Sequence, residues 1–196
     1  MAGRQASAWQ TLGPFFDRKL VRAGNDLTRL GPDAPQAEGQ VIEIAGQVRQ
    51  EDGLPVPGCL IELWQANAAG RYAHPADRSE RPLDPNFRGF GRAITNAEGL
   101  YSFRTIKPGA VTYGGNRWQA PHILFSLFAA GLLRRLVTRL YFADEAANET
   151  DPILATIGDP VARATLLGRR DEAAPAPRYL FDIVLRGEGE TAFFTD

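Results

Sequence analysis

Few side chains in this 196-residue sequence can do metal or acid–base chemistry: it holds two histidines, His74 and His122, one cysteine, Cys59, and five tyrosines. Two stretches gather such groups. Gly70-Arg71-Tyr72-Ala73-His74 brings a phenol and an imidazole close together, and the run from Tyr113 to Leu124 contains His122. A phenolate is a hard anion that suits ferric iron. A free tyrosine titrates near ~10, but a metal can deprotonate it at neutral pH. Two histidines cannot fill a histidine-dominated site, so any metal here needs other ligands as well. Taken alone, a single Tyr or His in such a run more often hydrogen-bonds at a core edge than binds a metal. The single cysteine excludes disulfide frameworks, zinc fingers and cysteine-ligated clusters, and Cys59 is expected to be a small buried apolar residue.

Other catalytic patterns are missing. The sequence has no Gly-x-Ser-x-Gly elbow, no phosphate loop ending in Gly-Lys-Ser/Thr and no His-Glu-x-x-His helix. Gly89-Phe90-Gly91-Arg92 is half of a dinucleotide fingerprint but precedes an expected strand, so it reads as a turn. Glu188 and Glu190 alternate with Gly187 and Gly189, again the composition of a turn. Basic residues (22) balance acidic ones (23) for a net charge of −1, and no long block of one sign points to nucleic acid or a membrane surface. No stretch approaches the roughly 20 apolar residues of a membrane span. Met1 to Gln10 is polar, without the apolar run of a secretory signal, and a cytoplasmic location is expected.

The elements that must position these groups are mainly strands. Glycine (20) and proline (14) fall between short β-rich runs, and the fold class expected is all-β, a sandwich with long loops and a few short helices. Ile42 to Val48 and Cys59 to Trp64 are expected to pair across the turn Glu51-Asp52-Gly53. Arg92 to Thr95 and Leu100 to Thr105 flank Asn96-Ala97-Glu98-Gly99, the composition of a hairpin. Further strands are expected over His122 to Phe128, Thr138 to Phe142, Tyr179 to Leu185 and Thr191 to Phe194. Asp159-Pro160 predicts a capped helix running toward Arg170. One domain is expected over 1–196, with an N-terminal arm over 1–40 and a sandwich core over 41–196. Residues 66–91 form the longest irregular stretch, a natural place for a site.

Several runs in order then resemble a known family. Leu63-Trp64-Gln65-Ala66-Asn67, Gly70-Arg71-Tyr72, Phe87-Arg88-Gly89-Phe90-Gly91-Arg92, Thr105-Ile106-Lys107-Pro108-Gly109 and Ala120-Pro121-His122-Ile123 are similar to the intradiol ring-cleaving dioxygenases. Within that family, the opening Gln10-Thr11-Leu12-Gly13-Pro14-Phe15 and the closing segment from Gly187 to Phe194 resemble the alpha chains of its two-chain members that cleave protocatechuate. The resemblance spans about Trp9 to Asp196 and implies a β-sandwich. It also implies, for catalytic chains, a ferric iron held by two tyrosines and two histidines.

Carried over residue by residue, the ligand pattern breaks. Tyr72 matches the first tyrosine and His122 the first histidine, but Leu124 stands at the second histidine of His-x-His and Val111 at the second tyrosine, one residue beyond Lys-Pro-Gly. Gln119 stands where catalytic chains carry an arginine. The resemblance therefore implies a non-catalytic alpha chain that binds no metal, with Fe(III) in the holoenzyme bound by a homologous catalytic beta chain. Protocatechuate and O2 are the implied substrates, and Thr11, Gly13, Pro14 and Phe15 the implied contacts to the partner's pocket. Ala130 replaces an arginine usual in such alpha chains near the substrate carboxylate. Two alternatives stand beside this: a self-sufficient dioxygenase with a site rebuilt from Tyr72, His122, Tyr113 and His74, and a transthyretin-like sandwich that serves as a binding module.

Overall fold

The computed structural model describes residues 25–195, so Thr11, Gly13, Pro14 and Phe15 lie outside the described residues. In chain order the strands are β1 (Val41–Arg49), β2 (Leu60–Gln65), β3 (Phe90–Ile94), β4 (Leu100–Ile106), β5 (Val111–Thr112), β6 (Trp118–Gln119), β7 (His122–Phe128), β8 (Leu136–Phe142), β9 (Leu167–Arg170), β10 (Arg178–Leu180) and β11 (Ile183–Val184). One short helix, α1 (Pro160–Ala164), precedes β9. Among the described residues, nine of these strands join one sheet, which runs from β4 through β1 to β10 and β11, then on through β9, β8, β7 and β2 to β3. The sheet folds back on itself, so that the two halves face each other across a shared core, as the all-β sandwich reading expects. The small β5–β6 ribbon stands apart.

The core is built from alternate residues of each strand, because successive side chains leave opposite faces. Ile42 and Ile44 of β1 and Tyr101 and Phe103 of β4 meet Ile61 and Leu63 of β2 and Ile123, Phe125 and Leu127 of β7. Phe125 is the hub: its ring lies 6.0 Å from Phe103, 6.1 Å from Tyr101 and 5.5 Å from Phe181. Burying an aromatic ring of this size contributes roughly 2–3 kcal/mol. Cys59 is free and buried in this cluster, as its composition suggested.

Strand positions follow the sequence more closely than strand partners do. β1 and β2 do not pair with each other: β1 lies between β4 on one side and β10 and β11 on the other, whereas β2 lies between β3 and β7. The segment Gln50–Cys59 thus crosses between the two halves. Asn96 to Gly99 does form a tight turn, with the Asn96 carboxamide oxygen accepting from the Glu98 and Leu100 N–H groups. Yet β3 and β4 diverge from it into opposite halves. Thr95 stays bound to the β2 side, its N–H donating to the Cys59 carbonyl, while Leu100 already pairs with Gln47 of β1.

The expected strand over 179–185 is broken at Phe181-Asp182 into β10 and β11, both parallel to β1. Gly46 permits the break, since a Cβ there would stand 1.8 Å from the Phe181 carbonyl oxygen. The expected strand over 191–194 reduces to a single bridge from Phe194 to Val137. The helix is shorter than expected. Asp159 caps it by accepting from the Val161 N–H at 2.8 Å, but it ends at Ala164 and β9 follows. Among the described residues, no helix is long and apolar enough to cross a membrane.

Candidate functional site

The outer face of β7, opposite the core, carries His122 and Leu124. His122 pairs across the sheet with Tyr141 of β8, and Leu124 pairs with Arg139 on one side and Trp64 of β2 on the other. Alternation dictates this: Ile123, Phe125 and Leu127 face the core, so His122 and Leu124 leave the other surface together.

Tyr72 comes to the same place from the 66–91 loop. The Asn67 side-chain oxygen accepts from the Ala69 and Arg71 N–H groups, and the Asp77 carboxylate accepts from the Tyr72 N–H at 2.7 Å. Gly70, at φ +78°, lets the loop pass the Ala110 carbonyl, which a Cβ would meet at 2.0 Å. The Tyr72 ring stacks on Trp64, with centroids 5.7 Å apart and planes 15° from parallel.

Tyr72 and His122 then meet, the hydroxyl oxygen 3.3 Å from His122 Nε2. The other imidazole nitrogen, Nδ1, lies 2.8 Å from the Ala120 carbonyl oxygen. A carbonyl only accepts, so Nδ1 carries the proton and Nε2 the lone pair, and the Tyr72 hydroxyl donates to Nε2. Electrostatics agree. Burial, reinforced by the Arg139 charge, lowers the His122 pKa to about 4 and keeps the imidazole neutral. Burial also raises the Tyr72 phenol to about 12, with Arg139 opposing and Asp77 adding to the rise. The backbone carbonyl behind His122 is the kind of support a metal-bound histidine uses. Here, however, the free lone pair is engaged by a phenol.

Val111 is buried and Leu124 half-buried, and neither has a lone pair to offer. Tyr113 lies beyond the end of β5, 37% exposed, with the Arg117 guanidinium over its ring. His74 is exposed, edge-on to Trp64, and its Nδ1 accepts from the Ala76 N–H. Among the described residues no group of three His, Cys, Asp or Glu side chains comes together to hold a metal. Ferric iron, which favours several hard donors, does not fit one phenol and one imidazole turned toward each other. Ala130 lies in the exposed turn after β7.

Sequence reasoning missed the polar network around this pair. Arg139 donates to the Gln119 carboxamide oxygen at 2.7 Å and to the Tyr141 hydroxyl at 3.3 Å. Tyr141 in turn donates to Asp151, a buried carboxylate that also accepts from the Ala120, Ile153 and Leu154 N–H groups. The one available signal was an arginine inside the largely apolar run from Leu136 to Phe142. In front of the site opens a cleft of about 1090 Å³, walled by Trp64, Tyr72, Val111, Trp118 and Gln119.

Comparison with known proteins decides the family. The sequence model of the family described as Dioxygenase matches residues 12–187. The chain belongs to the intradiol ring-cleaving dioxygenases. This intradiol dioxygenase chain is 41% identical over 196 residues to the protocatechuate 3,4-dioxygenase alpha chain of Pseudomonas putida, covering 94% of each. It is 46% identical over 174 residues to the protocatechuate 3,4-dioxygenase beta chain of Burkholderia cepacia, covering 85% of this chain and 73% of that one. A solved dioxygenase domain from a carbohydrate-binding fusion protein of Streptomyces sp. SirexAA-E superposes with a TM-score of 0.58 at 28% identity. The match covers 96% of this chain and all of that one. A binding module from outside this family is thereby set aside.

Proposed function

We propose that this intradiol dioxygenase chain is the non-catalytic alpha subunit of a two-chain protocatechuate 3,4-dioxygenase, and that a homologous beta chain holds the ferric iron. The observation that carries the reading is the hydrogen-bonded pair Tyr72–His122 beside Val111 and Leu124. Two donors remain of four, and each satisfies the other. A site with so few ligands would bind a trivalent ion weakly. The match to the alpha chain of Pseudomonas putida, over 94% of each chain, supports the same reading.

The assembly would insert both atoms of O2 between the adjacent hydroxyl-bearing carbons of protocatechuate, giving 3-carboxy-cis,cis-muconate with no atom lost. The partner's iron would supply the centre at which catechol and O2 react. This chain would contribute the interface and one wall of the pocket through Thr11, Gly13, Pro14 and Phe15. Ala130 supplies no charge for the substrate carboxylate, so that task would fall to other cations of the assembly.

A second reading, a self-sufficient dioxygenase, draws on the identity to a chain named beta. It needs Tyr113 and His74 to join Tyr72 and His122, and both stand at the exposed rim.

Co-expression with a homologous chain that keeps His-x-His and both tyrosines tests the proposal. The two chains are expected to co-purify as a coloured, active complex, and the lone chain is expected to be colourless and inactive. A lone chain that cleaves protocatechuate would overturn it. Removing residues 1–16 should lower turnover by the complex and leave its iron colour in place, whereas unchanged kinetics would remove Thr11, Gly13 and Pro14 from the pocket.

A further inference from the structure

The space between Tyr72, His122 and Leu124 has a charge of its own. Arg139 stands directly across the β7–β8 ladder from Leu124, two residues before the Tyr141 that faces His122. Its guanidinium is fixed at the head, by the Gln119 oxygen at 2.7 Å and the Tyr141 hydroxyl at 3.3 Å, and lies 5.4 Å from the Phe194 ring centre. These partners are neutral. The buried Asp151 carboxylate is reached through the Tyr141 hydroxyl, and it also holds the Ala120 N–H whose carbonyl supports His122. The charge of Arg139 is felt at both Tyr72 and His122. The remnant site is thus a closed network with a positive side chain of its own, anchored at Gln119.

We propose that Arg139 is a fixed cation that bars a metal from the Tyr72–His122 pair, so that restoring the missing ligands restores no iron site while Arg139 remains. This rests on the reading that the wild-type chain carries no iron. The physical reason is twofold. An imidazole placed at position 124 would stand directly opposite Arg139 in the ladder, and a metal cation beside it would meet like charge in a half-buried, weakly screened setting. Arg139 also holds Gln119 and Tyr141 in the positions they take without a metal, so a metal would have to displace a satisfied network rather than enter a vacant one. Removing the charge, in contrast, leaves a neutral wall beside four donors.

The test compares the full-length wild type, V111Y/L124H and V111Y/L124H/R139L, each loaded with ferric iron and desalted. Bound iron and the visible tyrosinate-to-iron charge-transfer band are read, with folding followed by near-ultraviolet circular dichroism. A second triple variant carrying R139Q, which keeps a hydrogen-bonding head beside Gln119, is run in parallel. The expected result is a coloured triple variant with about one iron per chain and a double variant at least about tenfold poorer in iron. An iron-loaded double variant beside a colourless wild type would overturn the role of Arg139 and leave the subunit reading intact. An iron-loaded wild type would instead overturn the subunit reading. Absence of colour in both triple variants would also overturn the proposal.

Discussion

The two faces of β7 have different fates. Toward the core, Ile123, Phe125 and Leu127 are fully buried in an aromatic cluster drawn from β4, β7 and the β10–β11 break. On the opposite face, the buried His122 meets the Tyr72 hydroxyl, and the half-buried Leu124 stands between Arg139 of β8 and Trp64 of β2. Packing and chemistry are therefore separable along one strand. The core face sets stability and is indifferent to iron. The opposite face can change its chemistry while the strand keeps its register, because register is fixed by the buried alternation.

This contrast is sharpest in a pair of truncations on the same strand. Phe125→Ala should lower unfolding free energy by about 3–5 kcal/mol, since it opens a cavity at the hub of the core. Leu124→Ala, on the half-buried face, should cost under about 1.5 kcal/mol. Urea unfolding of both reads the difference, and equal losses would break the distinction between the faces.

The next effect is one of pH. His122 is held at a pKa of about 4, below the ordinary histidine value of 6.5. Between those values the unfolded chain binds a proton that the folded chain refuses, so stability is full above 6.5 and falls as pH drops toward 4. The loss attached to this group is on the order of 3 kcal/mol. His122→Gln should remove that part of the acid slope, measured by denaturant midpoints between pH 7 and 4 as a difference from wild type. A variant with an unchanged slope would mean that His122 is not held neutral.

The smallest effect belongs to Tyr72→Phe. It deletes one hydrogen bond to His122 and leaves the stack on Trp64, so a loss of about 1 kcal/mol is expected. The same variant should let the His122 pKa, followed by NMR, shift by less than His122 differs from an exposed histidine, because burial is its main cause.

Much of this architecture was legible in the sequence, and the parts that were not share a cause. β7 was readable residue for residue, because its apolar run is local. The partners of β3 and β4 were not, since Asn96 to Gly99 has the chemistry of a hairpin turn whether its strands pair or part. What parts them is the distant grip of Cys59 on Thr95 and of Gln47 on Leu100. The interruption at Phe181-Asp182 likewise depends on Gly46, well over a hundred residues earlier. In the site, the positions of Tyr72, His122, Val111 and Leu124 could be aligned from motifs. The mutual hydrogen bond of the first two could not, nor could Arg139, whose lone charge in a strand reads like any solvated residue until its partner across the ladder is known.

On the proposed function, this chain keeps the family's sandwich and leaves the iron to its partner. The most direct test of that reading is the metal content and visible spectrum of the full-length chain, expressed without a partner, loaded with ferric iron and desalted. The account predicts a colourless protein with well under about a tenth of an iron per chain. A stable tyrosinate-to-iron band at about one iron per chain would contradict it.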